Sequence, residues 1–194
     1  ADLFPDRTAV IYGERRYTWA ESYARMRRLA SALTGAGLGI GDTVSVIAAN
    51  TPEMFEAHFG VPMAGCVLNT INTRLEAETI SYILENSDCR VLIVDTAFAP
   101  AVVPALESLP ADVRKNIRVV DIRDAAMGDL APVGDEDYES FIGAGDPDYD
   151  WQMPADEWQA LALGYTSGTS GRPKGVVYHP VSYTHLTLPT KQPV

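Results

Sequence analysis

Residues 165–175 read Tyr-Thr-Ser-Gly-Thr-Ser-Gly-Arg-Pro-Lys-Gly, and runs of apolar residues flank them on both sides. Leu161–Leu163 precede this segment and Gly175–Tyr178 close it. Short apolar runs around a cluster of Gly, Ser, Thr and Pro are typical of two strands joined by a loop. The sequence therefore predicts a strand, a polar loop and a second strand.

The composition of this loop predicts anion binding. Gly168 and Gly171 have no Cβ, so the backbone can take positive φ and point consecutive N–H groups at one ligand. The hydroxyl groups are further donors, Lys174 supplies one positive charge, and Pro173 restricts the backbone. Because a hydrogen bond to a charged group contributes about 1.5–3 kcal/mol, a few such donors could hold the phosphates of a nucleotide.

Two other interpretations of the loop are weaker. The Walker A motif of P-loop kinases and GTPases has the pattern G-x-x-x-x-G-K-[ST]. Here Gly168 and Gly171 are closer together, and Gly175 follows Lys174. A flexible Gly/Ser/Thr linker is disfavoured because linkers are rarely framed by apolar strands or closed by Pro-Lys-Gly.

The loop resembles the phosphate-binding signature of the adenylate-forming superfamily. This superfamily contains acyl-CoA synthetases, aryl-CoA ligases, peptide-synthetase adenylation domains and luciferases. The usual signature has Thr at the position of Ser170, so the hydroxyl group is kept. Upstream, Asn50–Met54 and Leu68–Leu75 resemble the branch of short- and medium-chain acyl-CoA ligases.

The resemblance implies a ligase that joins a carboxylic acid to CoA at the expense of ATP, with Mg²⁺ present, in fatty acid metabolism. It also implies that the loop cradles the β- and γ-phosphates of ATP through Thr166, Ser167, Gly168, Thr169, Ser170, Gly171 and Lys174. The family's other catalytic and metal-binding residues lie downstream, so we predict none in these 194 residues and expect no activity from them alone.

Two alternative functions stay open. One is an adenylation domain that loads a carrier protein, and the other is a non-catalytic nucleotide-binding module. Leu68–Leu75 favours the CoA ligase over the carrier-loading domain.

The net charge of −11 belongs to one segment. Residues 121–157 contain twelve Asp or Glu residues and one Arg, whereas the charges in the rest of the chain cancel. We interpret this segment as an acidic connection with solvated carboxylates and aromatic residues that pin it to the surface. Its charge argues against nucleic-acid binding. No apolar run approaches the length of a membrane span, and no signal peptide is recognisable, which predicts a cytoplasmic protein.

Apolar strands alternate with amphipathic helices along the chain, which predicts an α/β fold with a mostly parallel sheet and crossover helices. In view of the resemblance, this is an incomplete N-terminal portion of the adenylate-forming large domain. The predicted strands before the loop are 8–12, 15–17, 43–48, 66–68, 90–94 and 117–121. The predicted helices begin at a Thr18–Glu21 capping box, at Thr51-Pro52, at Ala77 and at Ala97, with an interruption of the last one near Pro104.

Several polar side chains have more than one possible role. Three arginines of the first helix, Arg25, Arg27 and Arg28, are expected on a solvated face. Cys66 and Cys89 are expected to be buried free thiols in a reducing compartment. The remaining candidates are His58, expected to be packed or on the surface, and Arg74, a possible contact for phosphate or CoA.

The last fifteen residues do not resemble the family. Val181–Thr190 resembles a translation of the transposon-end adapter that is used in DNA library preparation. We therefore predict that residues 1–179 are the N-terminal part of an AMP-binding domain, with residues 121–157 as its acidic connection, and that residues 180–194 are a non-native tail. Sequencing the locus from intact genomic DNA tests the tail, and a stop codon directly after Val194 would contradict it.

Overall fold

A computed structural model describes residues 1–128, 130–166 and 172–181 of the chain. Its strands are β1 (Thr8–Tyr12), β2 (Arg15–Thr18), β3 (Thr43–Ile47), β4 (Val67–Thr70), β5 (Cys89–Asp95), β6 (Arg118–Ile122), β7 (Glu136–Asp137), β8 (Ala162–Thr166) and β9 (Lys174–Tyr178). Its helices are α1 (Trp19–Gly35), α2 (Pro52–Met63), α3 (Ala77–Asn86), α4 (Ala99–Glu107), α5 (Ala111–Arg114) and α6 (Tyr138–Gly143).

Seven strands form one sheet in the order β7-β6-β5-β3-β4-β8-β9. Its neighbouring strands are parallel except for β9, which runs antiparallel to β8. The strands β1 and β2 form a separate antiparallel hairpin. The predicted α/β fold with a mostly parallel sheet is confirmed.

Helices cover both faces of this sheet, because its central strands are apolar on both sides. Along β5, Val91 and Ile93 face one core and Leu92 and Val94 face the other. The first core contains α1, α2 and α6, and the second contains α3 and α4. Parallel strands buried in this way read as continuous apolar runs, which is why the sequence revealed them.

The helix starts predicted at Thr18, Thr51 and Ala77 are also confirmed, whereas α4 begins at Ala99, after a 3₁₀ turn over Thr96–Phe98, and not at Ala97. Thr18 N–H donates to Glu21 Oε2 at 2.7 Å, and Glu21 N–H donates to Thr18 Oγ1 at 3.2 Å, which completes the capping box. The hydroxyl group of Thr51 caps α2, and Pro52 is its first residue.

The predicted interruption at Pro104 is wrong. The helix α4 continues through Pro104 to Glu107, and Ser108 N–H donates to the Pro104 carbonyl at 3.1 Å. Proline removes one hydrogen bond from the helix, but α4 buries Val102 and Ala105 completely. The burial of these side chains offsets the missing bond.

The acidic connection packs more closely than its composition suggested. Its aromatic residues do pin it, since Tyr138 and Phe141 of α6 are buried in the first core. Its carboxylates, however, are not all solvated. Asp121, which lies within β6, is fully buried and accepts the N–H groups of Val133 and Gly134, both at 3.0 Å, so it anchors that later segment to the strand.

The solvated face predicted for the arginines of α1 is wrong as well. The side chain of Arg25 is 16% exposed and pairs with Glu56 of α2 and Glu139 of α6. Arg27 donates to the Tyr149 carbonyl at 2.9 Å, and Arg28 donates to the Gly145 carbonyl at 3.0 Å. The segment from α6 to Tyr149 covers this face of α1, an arrangement that helical periodicity does not reveal.

The expectations for the two cysteines and for His58 are confirmed. Cys66 and Cys89 are buried free thiols. His58 is exposed, with its Nδ1 atom 2.7 Å from the Met54 carbonyl. None of the helices in the described parts of the chain combines the length and the apolarity needed to cross a membrane.

Candidate functional site

The two strands that flank the predicted phosphate loop form a hairpin. In the register of β8 and β9, Thr166 lies opposite Lys174, and the Thr166 hydroxyl group donates to the Lys174 carbonyl at 3.4 Å. Both residues are exposed. The structure therefore brings together the two ends of the predicted site. The other site residues lie outside the described residues: Ser167, Gly168, Thr169, Ser170 and Gly171.

The hairpin carries the loop to the carboxyl edge of the sheet. The strand β8 is parallel to β4, with Leu68 opposite Ala162 and Asn69 opposite Leu163. The carboxyl ends of β4 and β8 therefore meet at one edge, where open α/β sheets bind ligands. The loop begins directly after Thr166, the last residue of β8.

Gly175 makes the hairpin compact. It lies opposite Tyr165, and a Cβ at this position would be 3.1 Å from Leu163 Cδ1 and 3.5 Å from Tyr165 Cζ. The absence of a side chain leaves room for the Tyr165 ring beside β9. This explains why the segment ends in Gly, which the anion-binding argument alone did not require.

The charge of Lys174 is available for a ligand. No carboxylate of the described residues forms an ion pair with it. A lysine that is exposed at a loop mouth, without a competing carboxylate, suits a polyanion. Thr166 adds an exposed hydroxyl group at the other end of the loop.

The opposite end of the same edge is acidic. Glu53, Asp95 and Asp124 are 4%, 1% and 5% exposed, and the β1–β2 hairpin covers them through bonds from Arg15 to Glu53 and from Tyr12 to Asp124. Burial raises the pKa of Asp95, and the hydrogen bond to Asp124, with a smaller contribution from burial, raises that of Tyr12 to about 12. Since carboxylates repel phosphate, the end formed by β4, β8 and β9 is the one that suits a nucleotide.

Sequence reasoning missed two contacts that hold the loop. The Tyr165 hydroxyl group donates to Asn86 Oδ1 at 2.8 Å, and the Arg172 guanidinium carbon lies 5.1 Å from the centroid of the Tyr82 ring. Burial raises the pKa of Tyr165, so its hydroxyl group stays protonated and can donate. Tyr82 and Asn86 lie four residues apart on α3, and this helical spacing was the available signal.

The polar loop after β4 lies at the same edge. Asn69 is buried and donates to Ser45 Oγ at 3.0 Å, so it stabilises the sheet rather than facing solvent. Asn72 Oδ1 accepts the Arg74 N–H at 2.9 Å and turns the chain. Arg74 is exposed, and its contact with phosphate or CoA stays a prediction.

A family profile described as AMP-binding enzyme matches residues 1–190 of the chain. The chain belongs to the AMP-binding enzyme family. The family assignment agrees with the resemblance found in residues 165–175. The matched range overlaps residues 180–190, so the non-native tail stays a prediction.

Curated relatives of the chain are much longer than it is. It is 45% identical over 187 residues to the peroxisomal acetate/butyrate–CoA ligase AAE7 of Arabidopsis thaliana, covering 92% of this chain and 33% of the relative. It is 44% identical over 185 residues to the acetate–CoA ligase CCL3 of Humulus lupulus, covering 91% and 33%. The chain thus spans about a third of the length of these relatives.

A solved structure has the same fold. The anthranilate–CoA ligase AuaEII, in complex with anthranoyl-AMP, superimposes with a TM-score of 0.78 at 24% identity. The match covers 93% of this chain and 33% of that one. At this identity the likeness supports the fold alone, namely the N-terminal portion of the adenylate-forming domain.

Proposed function

We propose that the chain is the N-terminal part of an ATP-dependent carboxylic acid–CoA ligase. The family supports this proposal, and so do the CoA-ligase names of the two plant relatives. The observation that carries it is the β8–β9 hairpin, in which Thr166 lies opposite Lys174 at the carboxyl edge. Among the described residues, Lys174 has no carboxylate partner. The three substrates are ATP, a carboxylic acid and CoA.

The proposed reaction has two steps. In the first, a carboxylate oxygen attacks the α-phosphorus of ATP and the bond to the β-phosphate breaks. Pyrophosphate departs, and the product is an acyl-adenylate. In the second, the CoA thiol loses its proton, attacks the acyl carbon and displaces AMP. Both steps depend on positioning and on charge stabilisation more than on a protein nucleophile.

The loop contributes to the first step. Lys174 neutralises charge as pyrophosphate leaves, and the hydroxyl groups and backbone N–H groups hold the β- and γ-phosphates. The residues proposed for this cradle are Thr166, Ser167, Gly168, Thr169, Ser170, Gly171 and Lys174. Hydrogen-bond donors that hold these phosphates stabilise the negative charge that develops as pyrophosphate leaves.

Mg²⁺ would neutralise phosphate charge when bound. The described residues do not suit it, since no group of three or more His, Cys, Asp or Glu side chains among them could hold a metal ion. We expect its carboxylate ligand in the downstream part of the full-length protein.

The carrier-loading alternative is less well supported. Both named plant relatives are CoA ligases, whereas a carrier domain encoded downstream in the gene would favour carrier loading. In a non-catalytic module, bound ATP would protect the loop from proteolysis, but no acyl-adenylate would form. The cytoplasmic location also stays a prediction.

The test of this function is Lys174→Ala in the full-length protein. We expect adenylation, measured by pyrophosphate exchange, to slow by about 10- to 100-fold, since one bond to a charged group is lost. The preference among carboxylic acids stays unchanged, because Lys174 contacts phosphate alone.

Lys115→Ala is the matched control. Lys115 is an exposed lysine that precedes β6, at the amino edge of the sheet, and its replacement leaves adenylation unchanged. Adenylation at the wild-type rate in Lys174→Ala would contradict the role of Lys174.

A further inference from the structure

One face of α3 contacts the chain on both sides of the phosphate loop. We propose that Tyr82 and Asn86 of α3 are positioning residues that hold the loop in its phosphate-binding geometry. Asn86 accepts from Tyr165 just before the loop, and Tyr82 stacks against Arg172 just after it. This inference rests on the proposed function.

The contact before the loop is directional. Tyr165 is the penultimate residue of β8, and its hydroxyl group reaches Asn86 Oδ1 at 2.8 Å. Its ring packs against the second core, in which Ile80 and Ile83 of α3 are fully buried or nearly so. The entry to the loop is therefore fixed both by a hydrogen bond and by apolar packing.

The contact after the loop involves a charge that the phosphate cradle does not use. The guanidinium carbon of Arg172 lies 5.1 Å from the centroid of the Tyr82 ring, within the range of a cation–π interaction. Arg172 and Pro173 line a cleft of about 710 Å³ together with residues of α3 and α4. Arg172 thus faces the helices and leaves Lys174 as the cation for phosphate.

The helix is a rigid support for these contacts. Its opposite face buries Ile80, Ile83 and Leu84, each at most 1% exposed. It is also tied to α4, since Ser108 Oγ donates to Ser81 Oγ at 2.9 Å. Tyr82 and Asn86 are one turn apart, so a single rigid surface contacts both ends of the loop.

The physical consequence is a smaller entropic cost of binding ATP. When a Gly- and Ser-rich loop orders around a ligand, it loses more backbone entropy if its ends are free than if its ends are already fixed. The contacts with α3 restrict Tyr165 and Arg172, the residues on either side of the loop. Removing them weakens ATP binding without changing the sites for acid or CoA.

The test uses the full-length protein with Tyr82→Leu, which removes the ring face. We expect KM for ATP to rise about three- to fivefold, the effect of losing one cation–π contact. The KM values for acid and CoA stay unchanged, and so does the thermal unfolding midpoint. Tyr82→Phe retains the ring and restores KM for ATP to within about twofold of wild type.

Three further variants complete the test. Asn86→Leu raises KM for ATP in the same way, because Tyr165 loses its acceptor. Glu107→Gln, at an exposed position of α4, is the control and leaves KM for ATP unchanged. If Tyr82→Leu does not fold, Arg172→Gln tests the same pair from the loop side, with the same expected rise.

The possible outcomes separate this inference from the proposed function. Unchanged KM for ATP in Tyr82→Leu or Arg172→Gln, with slowed adenylation in Lys174→Ala, overturns the role of α3 and keeps the phosphate loop. An equal rise in all three KM values also overturns it, since that indicates a general structural defect. Wild-type adenylation in Lys174→Ala removes the proposed function and the inference with it.

Discussion

Burial keeps both thiol groups of the chain protonated. Burial raises the pKa of Cys66 to about 12 and that of Cys89 to about 11, because the thiolate form would lose its hydration. Only the thiolate reacts with alkylating agents. At the scale of single residues, the two cysteines are therefore inert parts of the core, as their isolated positions in the sequence indicated.

We predict slow alkylation of both cysteines in the folded protein. At pH 8 the raised pKa values reduce the thiolate fraction by about 100- to 1,000-fold relative to an exposed thiol. The measurement is the rate of iodoacetamide labelling at each cysteine, with the urea-unfolded chain as the control. Equal labelling rates in the folded and unfolded protein would refute this burial.

At the scale of elements, the packing of α1 against α2 depends on Gly60. A Cβ at this position would lie 2.8 Å from both Leu29 Cδ2 and the Met26 carbonyl oxygen. Backbone and buried side chain cannot both move away in a close-packed core. Gly60 is required because a side chain would not fit at this contact, and not because its backbone has a positive φ.

We predict that Gly60→Ala destabilises the fold by about 1–3 kcal/mol, the usual cost of overpacking. Gly35→Ala is the control, since Gly35 is the last residue of α1 and a Cβ there meets nothing within 4 Å. Alanine at Gly35 is neutral or slightly stabilising. The urea midpoints of the two variants decide the matter, and similar midpoints would count against the close contact.

At the scale of the whole molecule, three helices share one charge cluster that runs from the buried Glu56 to the exposed Glu139. Arg25 of α1 pairs with Glu56 of α2 and with Glu139 of α6, and the Tyr138 hydroxyl group donates to Glu56 Oε2 at 2.9 Å. Burial raises the pKa of Glu56 despite the attraction of Arg25, whereas the hydrogen bond from Arg25 lowers the pKa of Glu139. The cluster joins segments that are far apart in the sequence.

We predict that Arg25→Met lowers the free energy of unfolding at pH 7 by about 3–5 kcal/mol, because Glu56 keeps its burial but loses its cation. The pKa of Glu139 is lowered in the folded state, so its contribution is present above its ordinary pKa and is lost as the pH falls through its folded value. The difference between wild type and Arg25→Met therefore shrinks below about pH 4.5.

Urea unfolding between pH 4 and pH 7 measures this difference. Arg90→Met is the matched control, since the pair that Arg90 forms within the described part of the chain, with Asp42 at 3.4 Å, is solvent-accessible, and such pairs contribute at most about 1 kcal/mol. If Arg25→Met lowers the free energy of unfolding by the same amount at every pH, the carboxylate partners of Arg25 do not have the proposed role.

The sequence alone determined the alternation of strands and helices, the caps at Thr18 and Thr51, and the loop that is rich in hydroxyl groups and glycine and carries one lysine. These features depend on residues that are close in the chain, through periodicity, hydrogen bonds within one turn, and the backbone freedom of glycine. Local patterns could therefore reveal them.

Only the tertiary structure decided which distant residues meet. The order of the strands sets β8 beside β4 and brings α3 to the phosphate loop, joining Asn86 to Tyr165 across 79 residues. It also covers Arg25 with α6 and closes the other end of the sheet edge with buried carboxylates. Such contacts follow from the packing of whole elements, which no periodicity within one segment encodes.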